Sequence, residues 1–216
     1  PKMVAERAAL YVADPINLTA SFTYPATSLV SYLFQRVPGQ FYEWQCLAGL
    51  DILFLACIAP AAAMPRKNWA GAVLVFAAGF LLPFFFSVVP AGTPSTIYAN
   101  AMADTPLALL FGGTLCLYAA AGGRKTGFFA CAMPLAVLTM TKDIGFAYAL
   151  IVTFLIGLDQ LFGTPHPDTK PARIFGVSLA KCSILAAVVL AVFISWNRYT
   201  AAVTPTETTG ASVGSA

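Results

Sequence analysis

Asp51, Asp104, Lys142, Asp143 and Lys181 stand in or against strongly apolar sequence. An ionisable group in lipid is costly, and those found there usually have a task. A carboxylate can take the proton of an attacking hydroxyl. A lysine ammonium is a compact charge suited to a phosphate. Asp104 closes the polar, aromatic stretch GTPSTIYANAMAD and stands just before Thr105-Pro106. There it can cap a helix, where the backbone N–H groups and the positive dipole end favour a carboxylate. It can equally orient a sugar hydroxyl or bind a metal, and the two roles are compatible. Lys142 and Asp143 would point about 100° apart on a helix. Lys142 is either a phosphate ligand or an interface anchor held in a structural ion pair.

Other chemistries lack their residues. His166 is the one histidine and lies between prolines in GTPHPDTKPAR, so a histidine-based triad or zinc site is not expected. The five cysteines (Cys46, Cys57, Cys116, Cys131 and Cys182) sit in or beside apolar stretches with no CxxC pair, and read as small buried hydrophobes. Net charge is +3, but the basic residues are scattered, so no nucleic acid partner is expected. Asn17-Leu18-Thr19 fits the N-glycosylation pattern, a weak three-residue signal.

The elements that must position these residues are membrane helices. Hydrophobic residues make up 59% of the chain and charged ones only 10%. Soluble domains carry about 25% charged residues. A bilayer core about 30 Å thick takes about 20 apolar residues per helix. Trp44–Met64, Trp69–Pro90 and Ile174–Trp196 meet that requirement, as does the segment from about Pro106 to Ala121 once it borrows residues upstream. Gly127–Leu158 is long for one span and short for two, with Lys142-Asp143 near its middle. A charged pair at the centre of one span would be costly. Two short or tilted helices meeting at Thr141-Lys142-Asp143 are therefore expected.

The fold class expected is an all-α polytopic transmembrane bundle of about six spans: 44–64, 69–90, 105–121, 127–140, 144–158 and 174–196. Basic residues orient it. Arg66 and Lys67, Arg124 and Lys125, and Lys170 and Arg173 lie in connections that six spans place on one side. By the positive-inside rule that side is cytoplasmic. Residues 1–43, the loop ending at Asp104, the Lys142 turn and the tail 197–216 then face outward. Trp44, Trp69 and Trp196 fall at span ends, as interfacial rings do. Pro60, Pro83 and Pro134 should kink spans without breaking them. Asp51 and Lys181 fall in opposite halves of the bilayer and should not pair. Lys181 can snorkel to the cytoplasmic face, and Asp51 should face the bundle interior. In residues 1–43, the run Leu29, Val30, Tyr32, Leu33, Phe34 recurs at helical spacing but is too short to span. It reads as an interfacial helix on the outer leaflet, or else as a simple juxtamembrane connector. Pro1 and the small, polar end ETTGASVGSA read as cut points in a longer chain.

Together these pieces resemble the polytopic GT-C-type glycosyltransferases, which use polyprenyl-phosphate-linked sugars. TYPATSLVSYLFQRVPGQFYEW is similar to the family's Tyr-Pro-Pro element and short aromatic helix, with Ala26 in place of the second proline. YANAMADTPLALLFG is similar to its later outer loop with an acidic residue heading a span, and TMTKDIGFAYAL to its lysine at an outer helix junction. The resemblance implies inverting sugar transfer from a lipid-linked donor at the outer face. It implies Asp104 as the catalytic carboxylate, and Lys142, Asp143, Tyr24, Tyr98 and Asn100 as substrate-binding residues. A lysine or a divalent metal would meet the leaving phosphate. The setting implied is the lipid bilayer of a bacterial cytoplasmic (inner) membrane. The family's base follows a preceding span that this chain does not contain, and Asp14 in ADPIN is unlike that motif, so this chain alone should be inactive. A secondary transporter or channel segment and a non-catalytic assembly subunit are the other readings, and Asp51 and Lys181 favour the transporter.

Overall fold

The computed structural model describes residues 25–35, 42–64, 68–85, 104–121, 125–163 and 171–203. Every element among them is helical: α1 (Ala26–Gln35), α2 (Glu43–Ala62), α3 (Trp69–Phe85), α4 (Asp104–Ala121), α5 (Lys125–Ala130), α6 (Ala132–Thr139), α7 (Gly145–Leu158) and α8 (Pro171–Val203). A π-helical turn, Asp159–Gly163, extends α7. Only helices or closed barrels satisfy backbone polar groups within lipid, and this chain uses helices.

The windows Trp44–Ala62, Asp104–Ala121, Gly145–Phe162 and Phe175–Ala202 are long and apolar enough to cross a membrane. That marks a multi-pass membrane protein. Trp69–Gly79 and Gly127–Thr139 are shorter apolar segments. The set differs from the four segments that hydropathy singles out. The described helix α3 stops at Phe85, whereas α7 gains a full-length window from its π-helical turn.

The surface is apolar, as lipid requires. Trp69, Leu74, Phe154, Phe162 and Leu179 are all exposed. Buried threonines turn their hydroxyls back on their own helices. Thr114 donates to the Leu110 carbonyl, Thr139 to Leu135 and Thr153 to Ala149. These three hydroxyls are thereby left with no unpaired hydrogen in the core.

Helix α4 is central, packing on α2, α5, α6 and α7. Its stripe Leu107, Leu110, Thr114, Tyr118 is buried. It meets Leu135 and Leu138 of α6, Val152 and Ile156 of α7, and Leu185 and Val189 of α8 in one core. Against α2 the backbones themselves approach. A Cβ on Gly113 would lie 2.8 Å from the Cys57 carbonyl oxygen. Small residues permit such close helix packing in membranes.

Two connections have local causes. The break at Cys131, between α5 and α6, has Pro134 behind it. Proline has no N–H for the Ala130 carbonyl, and its ring crowds that carbonyl. The expected span 127–140 is thus two helices, where a kink alone was expected. The turn at Thr141-Lys142-Asp143 falls where the charged pair led it to be expected. Thr141 N–H donates to Leu138 at 3.2 Å and Gly145 N–H to Lys142 at 2.8 Å. Gly145 then runs so close to α6 that a Cβ there would lie 2.1 Å from the Leu138 oxygen.

Three expectations need correction. Trp196 is 7% exposed and stacks on Tyr199, so it is a packed residue and no interfacial anchor. The helix also does not end there, and residues 197–203 continue α8. Asp159–Gly163, expected as loop, is the π-helical end of α7.

Gly145→Ala should clash with backbone that cannot swing aside. Overpacking of this kind costs about 1–3 kcal/mol, or roughly 2–10 °C in Tm for a chain this size. Gly176→Ala, with nothing within 4 Å, should leave Tm unchanged in the same detergent-phase melting experiment.

Candidate functional site

Asp104 is the first residue of α4, and Lys142 lies in the α6–α7 turn. The Lys142 ammonium donates to Asp104 Oδ1 in an ion pair. Residues far apart in sequence thus meet at one end of the bundle. The side chains are 46% (Lys142) and 67% (Asp104) exposed. A pair that open contributes about 0–1 kcal/mol to stability. Both groups can therefore be approached by a ligand, and neither is needed to hold the bundle together.

Helix α1 reaches the same end. The Ala26 N–H donates to the Met140 carbonyl at 2.9 Å, two residues before Lys142. Its other end is clamped by Gln35. The Gln35 amide donates to the Tyr42 carbonyl and to Cys46 Sγ, and accepts from the Tyr42 N–H at 3.0 Å. Ser31 donates to the Cys46 carbonyl at 3.3 Å. A polar stripe on α1, Ser31 and Gln35, thus docks it on α2. Asp143 is exposed beside Lys142 in the same turn. Tyr24, Tyr98, Asn100 and His166 lie outside the described residues.

A second polar cluster joins the helices at the opposite end. Lys181 Nζ of α8 donates to Gln160 Oε1 at 2.9 Å. Gln160 Nε2 donates to the Tyr118 hydroxyl at 3.0 Å, and that hydroxyl donates to Asp159 Oδ2 at 2.8 Å. Lys181 Nζ also lies 5.7 Å from the Phe128 ring centroid, within cation–π range. A cation and an anion are thereby linked through two neutral groups. Lys181 does not simply snorkel outward, because its ammonium is held by Gln160.

Sequence reading singled out Lys181 but missed Tyr118, Asp159 and Gln160. A signal existed. Tyr118 follows Leu107, Leu110 and Thr114 on one face of α4. Gln160 follows Ala149, Val152 and Ile156 on α7, and Lys181 precedes Leu185 and Val189 on α8. Each is a polar residue continuing a core stripe, at the same end of its helix pair. On α2, Asp51 Oδ1 and Gln45 Oε1 are buried without a hydrogen-bond partner.

Compared with protein-family models, curated proteins and solved structures, the chain matches none.

Tyr118→Phe removes one donor and one acceptor from the cluster and should cost about 1 kcal/mol. Lys181→Met acts on the same Gln160 side chain. Thermal melts of both single variants and the double variant should show non-additivity above about 0.5 kcal/mol. Strict additivity would mean that the four residues do not act as one unit.

Proposed function

We propose that this chain is part of an integral-membrane glycosyltransferase that moves a sugar from a polyprenyl-phosphate donor to an acceptor at the outer face of a bacterial cytoplasmic membrane. The observation that supports this reading is the Asp104–Lys142 pair: an exposed carboxylate and an exposed ammonium in contact, beside the end of α1. A donor phosphate competes with Asp104 for Lys142, since both are anions. Its arrival frees the Asp104 carboxylate next to the bound sugar.

The acceptor hydroxyl oxygen then bonds to the anomeric carbon. The bond from that carbon to the phosphate oxygen breaks, and its electron pair leaves with the polyprenyl phosphate. Asp104 orients the acceptor hydroxyl, whose proton passes to a carboxylate acting as general base. Lys142 holds the negative charge that develops on the phosphate. The cation in this reading is Lys142, which already pairs with a carboxylate at this end of the bundle. Asp143, Tyr24, Tyr98 and Asn100 complete the proposed substrate contacts. The same reading takes α3 and the α5–α6 pair as further crossings. It counts six spans, and lays α1 on the outer leaflet.

A second reading has its own support. Lys181 and the unpaired Asp51 oxygen are ionisable groups within apolar helices, as in secondary transporters. Flux of a solute in proteoliposomes, with no sugar transfer, would select it.

In the full-length protein, Asp104→Asn should lower transfer from a lipid-linked sugar by about 10²–10⁴-fold, and Lys142→Ala by about 10²–10³-fold. Thermal midpoints should stay near wild type, because the exposed pair adds little stability. Wild-type transfer in both variants would sink the assignment. For topology, Asn100→Cys and Arg124→Cys should label with an impermeant thiol reagent from opposite faces of the membrane.

A further inference from the structure

Helices α7 and α8 lie antiparallel in constant register. Phe146 stacks on Phe193 with ring centroids 4.2 Å apart, and Gly157 sits against Cys182, where a Cβ would lie 3.0 Å from the sulfur. The two contacts are eleven residues apart on each helix. Helix α7 starts at Gly145, one residue before Phe146, whereas α8 continues past Phe193 to Val203. That continuation rises about 15 Å. Trp196, three residues past Phe193, is therefore about level with Asp143, three residues before Phe146. Tyr199 stands about one turn higher. The end of α8 is a post beside the α6–α7 turn, at the end of the bundle that carries the Asp104–Lys142 pair.

The post turns a distinct face to that turn. Leu185 and Val189 pack into the core with α6 and α7. Trp196 comes two turns after Val189, on the same face, and is buried. Tyr199 and Thr200 flank it, about 60° to one side and about 40° to the other. Tyr199 stacks on Trp196, with centroids 5.6 Å and ring planes 26° apart, and stays half-buried. The aliphatic stripe of α8 thus becomes aromatic and hydroxyl-bearing where it passes the turn. Arg198 is exposed about 200° round the helix from Trp196, so it faces away and is no second cation for a phosphate on Lys142. The floor beside the post is open. Lys142, Asp143 and Ile144 are exposed, with Thr141 buried below them.

A sugar ring carries a face of C–H bonds, and their positively polarised hydrogens pack on the negative face of an aromatic ring. A ring already held by a neighbour loses little freedom on binding, which favours affinity. We infer that Tyr199 is the surface on which the transferred sugar stacks, with Trp196 holding its ring in place. The inference rests on the glycosyltransferase reading: a donor phosphate on Lys142 leaves its sugar above the turn, beside the post. Tyr199 binds the donor through the sugar and takes no part in proton transfer.

The test is equilibrium binding of radiolabelled undecaprenyl phosphate to the full-length protein, with the lipid bare or carrying glucose, mannose or galactose. Wild type should bind at least one sugar-bearing lipid more tightly than the bare one. Tyr199→Ala should weaken that lipid about tenfold, the scale of one aromatic contact. It should leave the bare lipid unchanged, which also shows that the variant is folded. Tyr199→Phe keeps the ring and should keep most of the affinity. Lys142→Ala should weaken bare and sugar-bearing lipids alike. If Tyr199→Ala binds the sugar-bearing lipid as wild type does, or weakens both lipids equally, the stacking proposal is overturned and the glycosyltransferase reading stands. Wild type that prefers none of the three sugars to the bare lipid also overturns the stacking alone. Wild type that binds none of the lipids, or an unchanged Lys142→Ala, overturns the reading and the stacking with it.

Discussion

The register of the bundle depends on the polar cluster that fastens the last turn of α4 to α7 and α8, and a second, lighter contact lies at the start of α4. At its start Asp104 meets Lys142 in the turn before α7. In its last turn Tyr118 meets Asp159 and Gln160 just beyond α7. The two contacts are about 21 Å apart along α4. Between them the interface is apolar, and apolar contact in lipid gives little preference for one sliding position over another, since lipid tails are as apolar as leucine. The cluster at the last turn of α4 supplies that register, and the exposed pair adds little to it. They differ in character. The exposed pair is cheap to exchange for a ligand, while Tyr118 and Gln160 of the inner cluster are buried and expensive to leave half-made.

The α2 side is held by different means. Here backbone proximity at Gly113 and Cys57 replaces side-chain hydrogen bonds. Helix α1 is attached through Gln35, which matches both backbone groups of Tyr42. One half of the bundle is thus joined to α4 by shape, and the other by polar bonds. Both converge where Ala26 meets Met140.

Much of this was legible in the sequence. Apolar lengths located the helices, and the cost of a central charged pair located the Thr141-Lys142-Asp143 turn. Alternation of the connections put Asp104, Lys142 and the α1 segment at one end. What stayed hidden has physical reasons. Charged residues were weighed singly, whereas Lys181 depends on Gln160, and Gln160 on Tyr118. Hydropathy counts Asp159 and Gln160 as loop because it averages over faces, while burial acts on one face. Trp196 suggested an interface by type, but a long helix can carry a tryptophan into packing. The break at Cys131 was foreshadowed by Pro134, whose effect lies one turn before the proline itself.

The inner cluster also bears on how the chain enters the membrane. A lone lysine raises the insertion free energy by about 2.5–3.5 kcal/mol at a helix centre, and by less towards an end, where Lys181 stands. Here the chain is made in the order Tyr118, Asp159, Gln160, Lys181. When α8 leaves the ribosome, the groups that receive its ammonium have already been synthesised. If the earlier helices remain beside the translocon, Lys181 passes from water to a waiting acceptor with no stage alone in lipid. Biogenesis would then favour releasing α4, α7 and α8 as one unit, with α8 the last to join and the one that closes the set.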